Sequence, residues 1–232
     1  MTASKFHPVT HVLFDMDGLI LNTEDLYTVA FKNVLTPYGK EYTFTLKLKL
    51  MGSQAHETAK IIVSELDLPI TPEQFMEETK KQFEKLFPDT QVLPGAKRLI
   101  EHLNSHNIPI GLATSSSKES YELKVNKHHQ ELFSLFPYKT MGSSDPEVKR
   151  GKPYPDIFLV AASRFPDKPK PGQCLVFEDA INGVKAARAA GMQVVMVPDP
   201  RMDRELTKEA TLVLNSLEEF KPELFGLPPF ED

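Results

Sequence analysis

His11-Val12-Leu13-Phe14-Asp15-Met16-Asp17-Gly18 decides the fold. An apolar burst stops abruptly at two aspartates spaced two apart and a glycine, as a buried parallel strand does when it runs into a tight loop. The same shape returns three times downstream. Ile108 to Ala113 ends in Thr114-Ser115-Ser116-Ser117, Cys174 to Phe177 ends in Glu178-Asp179, and Val194 to Val197 ends in Pro198-Asp199. Between these four strands lie stretches with helical spacing: Leu99, Ile100 and Leu103; Phe158, Ala161, Ala162 and Phe165; and Val184 to Ala190, closed by Gly191 as a C-cap. Strand alternating with helix predicts an α/β fold with a parallel sheet covered on both faces. In such sheets ligands bind beyond the carboxyl ends of the strands, where this chain's polar residues collect.

Working outward, residues 20 to 88 change character. Strand-like runs disappear, and Leu26, Ala30, Phe31 and Val34 form a helical stripe, followed by Ala55, Ala59, Ile62, Val63 and Leu66. Thr71-Pro72-Glu73-Gln74 reads as a capped helix start leading into Phe75, Thr79, Phe83 and Leu86. The expected organisation is a core from residues 1–19 and 89–232 with a small helical cap, 20–88, inserted after the first strand. The proline-bearing tail, Lys221 to Asp232, is read as irregular.

The 232 residues suit one domain with a modest insertion. With 27 basic and 32 acidic side chains the formal charge is −5 and there is no basic run, which argues against a nucleic-acid surface or a polybasic membrane anchor. Cys174 stands alone, so no intramolecular disulfide can form and a reducing compartment is expected. No apolar stretch approaches about 18 residues. These features predict a cytoplasmic protein, with no membrane or nucleic-acid partner, read here as a monomer.

At the strand ends, Asp15 and Asp17 can share a pocket only if something offsets the repulsion between them, and a hard divalent cation does so. Glu178 and Asp179 would add oxygen ligands, an arrangement suited to Mg²⁺ with water and a substrate phosphate completing the shell. Thr114, Ser115 and Ser116 offer hydroxyl and N–H donors to an anion. Lys152, on a loop stiffened by Pro153 and Pro155, can set an ammonium against a phosphate or the carboxylates. Other residues read as structural. His102, His106, His128 and His129 lack a completed ligand set, Cys174, Phe133, Leu135 and Phe136 read as core, and Lys47 and Lys49 as a solvated face.

In order along the chain, DMDG (15–18), ATSS (113–116), GKPYPD (151–156) and FEDA (177–180) resemble the four signatures of the haloacid dehalogenase-like hydrolases, and the match spans almost the whole chain. The resemblance implies a Rossmann-like core with a helical cap in the position inferred above. It implies Asp15 as nucleophile, Asp17 as general acid/base, Thr114 as a phosphate hydroxyl ligand and Lys152 as charge stabiliser. Mg²⁺ would be held by Asp15, the backbone carbonyl of Asp17, Asp179 and Glu178. At the closure of the cap, Leu21, Thr23, Gly52, Ser53 and His56 are expected to shape selectivity, with Gly52, Ser53, His56, Ser115, Thr114 and Lys152 binding substrate.

Within the family, DMDGLILNTEDLY and LVFEDAINGVKAARAAGMQVVMVPD look most like the eukaryotic pseudouridine-5′-phosphatase group, and plant-type glycerol-3-phosphatases are similar over the same stretches. That implies a phosphomonoesterase for a small phosphorylated metabolite, foremost pseudouridine 5′-phosphate, with glycerol 3-phosphate or a sugar phosphate as the alternative. A phosphomutase ranks lower because Ala55 stands where β-phosphoglucomutases carry an arginine. A silent phosphate-binding module ranks lower still because all four signatures are present. Asn22 and Ser143-Ser144 depart from the acidic residues common in relatives.

Overall fold

The computed structural model describes residues 6–231. Strands β1 (His11–Phe14), β2 (Ile110–Thr114), β3 (Tyr138–Met141), β4 (Cys174–Glu178), β5 (Gln193–Met196) and β6 (Leu212–Val213) form one parallel sheet in the order β3-β2-β1-β4-β5-β6. The chain builds outward from β1 to β3, then crosses back to place β4 on the other side of β1. The switch point therefore lies between β1 and β4, the two strands that end in Asp15 and Glu178-Asp179.

Side chains alternate across the sheet, as a period of two requires. Val12, Phe14, Leu175, Phe177 and Val195 enter one core layer, and Leu13, Cys174, Val176, Val194 and Met196 the other. Phe14 and Phe177, paired in register, stack with ring centroids 5.0 Å apart. Beyond residue 95 the helices run in order α5 (Ala96–Ser105), α6 (Lys118–Val125), α7 (Gln130–Ser134), α8 (Asp156–Ser163) and α9 (Ile181–Ala189). Leu99, Ile100 and Leu103 of α5 with Phe133 of α7 cover the first face; Phe158 and Ala161 of α8 with Val184 and Ala187 of α9 cover the second.

Between β1 and β2, four helices pack on one another: α1 (Glu24–Leu35), α2 (Phe44–Leu50), α3 (Ala55–Glu65) and α4 (Pro72–Leu86). They enclose a separate apolar cluster centred on Phe31, Leu35, Leu46, Ile62 and Phe75. The capping box that opens α4 is complete: the Gln74 N–H donates to Thr71 Oγ1 at 3.2 Å, and the Thr71 N–H donates to Gln74 Oε1 at 2.9 Å.

Four details depart from the sequence reading. The edge strands β3 and β6 carry no apolar run, since β3 reads Tyr-Lys-Thr-Met and β6 has two residues, so neither announces itself. Helix α2 is likewise too short and too lysine-rich to stand out. The tail is less irregular than its prolines suggest: Pro222–Phe225 forms a 3₁₀ turn, Phe225 and Leu227 are buried, and the Val9 N–H donates to the Phe225 carbonyl. Lys47 is not on a solvated face. It is 2% exposed, with Nζ 3.4 Å from Glu24 Oε2 and 3.7 Å from Asp199 Oδ2, whereas Lys49 is exposed and pairs with Glu65 at 2.8 Å.

The two lysines of α2 therefore differ in what their removal leaves behind. Lys47→Met leaves Glu24 without its ammonium and is expected to lower unfolding stability by about 3 kcal/mol. Lys49→Met removes an exposed pair and is expected to cost less than about 1 kcal/mol. Urea unfolding of both variants checks the contrast, and equal losses would contradict it.

Candidate active site

Asp15 sits one residue past β1, and its N–H donates to the Phe177 carbonyl on β4, so the strand pairing itself brings it beside Glu178 and Asp179. Ligand oxygens of Asp15, Glu178 and Asp179 lie within 4.8 Å of one another, all three residues buried. Two glycines make the close approach possible. A Cβ on Gly18, whose φ is +79°, would fall 2.1 Å from Asp179 Oδ2, and one on Gly183, in the first turn of α9, would fall 1.9 Å from the Glu178 carboxylate.

Lys152 reaches this trio from the loop before α8. Its Nζ donates to Asp15 Oδ1 at 2.5 Å, to Glu178 Oε1 at 2.6 Å and to the Ala113 carbonyl at 3.3 Å. The other Glu178 oxygen accepts the N–H groups of Asp179 and Ala180. One ammonium thus bonds two of the three buried carboxylates, and none bonds Asp179 among the described residues. Burial pushes the Asp15 carboxyl up to about 7, with Glu178 and Asp17 adding to the rise and Lys152 opposing it. Asp179 is also pushed well above the usual carboxylate range, by burial and then by Glu178, Glu24 and Asp15.

The Asp17 carboxylate points away from the trio. Oδ1 accepts from Thr23 Oγ1 at 2.7 Å and Lys124 Nζ at 2.5 Å; Oδ2 accepts from Ser116 Oγ at 2.8 Å and Thr114 Oγ1 at 3.3 Å. Burial opposes ionisation here too, but the Lys124 ammonium, with Thr23 and Ser116, holds Asp17 below its ordinary value. Lys124 is fully buried on α6. It also donates to Tyr27 Oη and Ser116 Oγ, each at 2.9 Å, and lies over the rings of Tyr27 and Phe87. Reading the sequence missed this lysine. The available signal was its place three residues after Tyr121 and one before the buried Val125, on the face where a helix has no reason to carry a charge.

A cavity of about 360 Å³ opens from Asp15 and Asp17 into the four-helix segment, and Gly52, Ser53, Ala55, Ser115 and Ser116 help to line it. Ser115 Oγ donates to the Gly52 carbonyl at 2.8 Å, joining the loop after β2 to the α2–α3 turn. Thr114 is fully buried, its hydroxyl engaged by Asp17 and the Ser116 N–H, and it does not line the cavity. His56 is exposed on α3 and lies off the cavity wall. Leu21 and Thr23 are buried at the loop before α1, and Asn22 stays tied to the chain's return, its N–H donating to the Gln91 carbonyl. Ser143 Oγ donates to the Ser115 carbonyl, and Ser144 Oγ accepts the Lys118 N–H, so this pair braces the loop after β2. Of the histidines set aside as structural, His102 and His129 each bond a backbone carbonyl, of Pro228 and Thr90. Among the described residues no helix is long and apolar enough to cross a membrane.

Four acidic groups, two buried ammoniums and a cavity leading to them make a place where an anionic substrate can be met only with added positive charge. Known proteins agree with that picture. Residues 12–197 match the family described as haloacid dehalogenase-like hydrolase. Over 232 residues the chain is 55% identical to a probable pseudouridine-5′-phosphatase of Drosophila melanogaster, covering 100% of both chains. It is 49% identical over 227 residues to (DL)-glycerol-3-phosphatase 2 of Arabidopsis thaliana, covering 97% of this chain and 94% of that one. Among solved structures, β-phosphoglucomutase from Clostridium difficile superposes with a TM-score of 0.77 at 25% identity, over 93% of this chain and 94% of that one. With its four signatures gathered at one end of a parallel sheet, this chain belongs to the haloacid dehalogenase-like hydrolases.

Proposed function

We propose that the chain is a Mg²⁺-dependent phosphomonoesterase that transfers the phosphoryl group of a small metabolite to Asp15 and then to water. The observation that carries the reading is the meeting of Asp15, Lys152, Glu178 and Asp179 at the switch point, with Asp17 on the adjoining wall. The donor set suits the ion: hard carboxylate oxygens, deprotonated more easily once a cation is near, with room kept by Gly18. Asp15, Asp179 and the backbone carbonyl of Asp17 would hold it, with Glu178 assisting. When bound, the ion neutralises charge on the phosphate and on the attacking carboxylate.

The remaining chemistry belongs to the chain's own groups. A carboxylate attacks a phosphate monoester poorly because both are anions, so Lys152 screens Asp15 and orients it for in-line displacement. The Ser115 N–H offers a donor to a phosphate oxygen, while Thr114, its hydroxyl given to Asp17, fixes that carboxylate beside it. Asp15 takes the phosphoryl group as an aspartyl-phosphate, splitting one displacement into two. Asp17, ionised at rest beside Lys124, would take the proton that a monoanionic phosphate ester brings, pass it to the departing alkoxide, and then take one from the water that attacks next. The four-helix segment, residues 20–88 in the division proposed from sequence, acts as a cap that keeps bulk water out and reads the leaving group, with Gly52 and Ser53 at its turn.

The Drosophila relative, identical at 55% over the full chain, supports pseudouridine 5′-phosphate as the substrate, and the Arabidopsis relative supports glycerol 3-phosphate as the second candidate. The lone, fully buried Cys174 supports a cytoplasmic setting.

Asp15→Asn is expected to lower phosphate release from pseudouridine 5′-phosphate by at least about 10³-fold while leaving the circular dichroism spectrum unchanged; retained turnover would remove Asp15 as the nucleophile. The raised carboxyls also link stability to pH. A carboxyl that ionises near 7 in the folded chain and near 3.8 otherwise binds more protons when folded, so it costs stability as pH rises between those values. Metal-free protein should therefore lose thermal stability from pH 5 to pH 8. Adding 10 mM Mg²⁺, roughly a saturating level, should raise Tm by about 5 °C at pH 8 and by much less at pH 5. Equal shifts at both values would contradict the linkage.

A further inference from the structure

The charged groups along the 360 Å³ cavity are already matched. Asp15 faces Lys152, Asp17 faces Lys124 and Glu24 faces Lys47, while Glu119 pairs with Lys80 at 2.7 Å and Glu77 lies 4.0 Å from Lys81. Among the described residues no lining ammonium or guanidinium is left over for a second anion. A leaving group that brought its own phosphate or carboxylate would be desolvated beside carboxylates with nothing to compensate it. What remains along the inner wall is aromatic and aliphatic surface set with hydroxyls, among them those of Ser53, Thr58, Thr79 and Tyr42.

The most buried of these without a hydrogen bond is the hydroxyl of Tyr42, in the connection between α1 and α2, whereas Thr79 bonds carbonyls of its own helix. Tyr42 is 6% exposed, its ring meets Phe31 edge-on with centroids 5.1 Å apart, and it lines the cavity. Among the described residues nothing hydrogen-bonds its oxygen, and that oxygen is not sealed off from the cavity, so a partner can come from a bound molecule. Burial and the nearby Glu24 carboxylate push its ionisation upward, so the O–H stays intact as both donor and acceptor.

We propose that Tyr42 is a specificity-determining residue, its hydroxyl held free to hydrogen-bond a hydroxyl or carbonyl of an uncharged leaving group. The inference rests on the phosphatase reading above and narrows it to monophosphates of neutral, hydroxylated alcohols such as a nucleoside or a polyol. Tyr42 acts on recognition and takes no part in phosphoryl transfer.

The test is Tyr42→Phe, which keeps the ring and removes one oxygen. Three substrates would be compared by kcat/KM: whichever of pseudouridine 5′-phosphate and glycerol 3-phosphate the unaltered protein hydrolyses faster, phenyl phosphate, whose leaving group has nothing for Tyr42 to bond, and fructose 1,6-bisphosphate. The variant should lose roughly 5- to 100-fold on the hydroxylated monophosphate, the range for an unmet polar contact. It should stay within about 2-fold on phenyl phosphate. The unaltered protein should turn over the bisphosphate at least about 10-fold more slowly than the monophosphate. Equal losses on both monophosphates, no loss on either, or rapid turnover of the bisphosphate would overturn the proposal. Failure of the unaltered protein to release phosphate from all of these compounds would instead overturn the phosphatase reading on which it rests.

Discussion

Everything in this molecule turns on a concentration of buried negative charge at the carboxyl ends of β1 and β4. Asp15, Asp17, Glu178 and Asp179 converge there, and Lys152 and Lys124 are the ammoniums that touch them, leaving two carboxylates more than cations. Isolated from water, such a surplus is unfavourable, and the upward push on Asp15 and Asp179 is how the metal-free chain relieves it. The same surplus is what a divalent cation and an electrophilic phosphorus would need to find.

The fold tolerates this arrangement because each lysine arrives from a different element. Lys152 comes from the loop before α8, Lys124 from α6 and Lys47 from α2, each fully or almost fully buried. They divide the acids between them: Lys152 holds Asp15 and Glu178, Lys124 holds Asp17 and touches Tyr27 of α1, and Lys47 ties Glu24 to Asp199 beyond β5. Two of the three contacts therefore join the four-helix segment to the sheet. The positions of the helices and the electrostatics of the site are parts of one network, and the cavity between them takes its charge balance from it.

How much of this was legible in the sequence follows from the range of each interaction. Strand β1 and the acids after it are local signals, an apolar run and an abrupt polar stop, and β2, β4 and β5 repeat them. The capping box at Thr71 is equally local. Strands β3 and β6 escaped because an edge strand gains its stability from a neighbour far along the chain rather than from its own apolar content. Lys124 and Lys47 escaped for the same reason. A lysine on a helix reads as solvent-facing until the carboxylates it must meet, 107 residues away for Lys124 and Asp17, are brought to it. Tyr42 is harder still, since what marks it is a missing partner. Conversely, His56 looked placed to touch substrate by its closeness in sequence to Gly52 and Ser53, yet the first turn of α3 turns it outward.

Calorimetric titration of the metal-free protein with Mg²⁺ near pH 6.5, repeated in buffers of different ionisation enthalpy, addresses the charge surplus most directly. One ion should bind per chain with release of protons, since Asp15 and Asp179 must ionise to hold it, and that binding should be lost in Asp179→Asn. Binding without proton release, or binding undiminished in the variant, would contradict the claim that these buried carboxylates are kept in surplus for a cation.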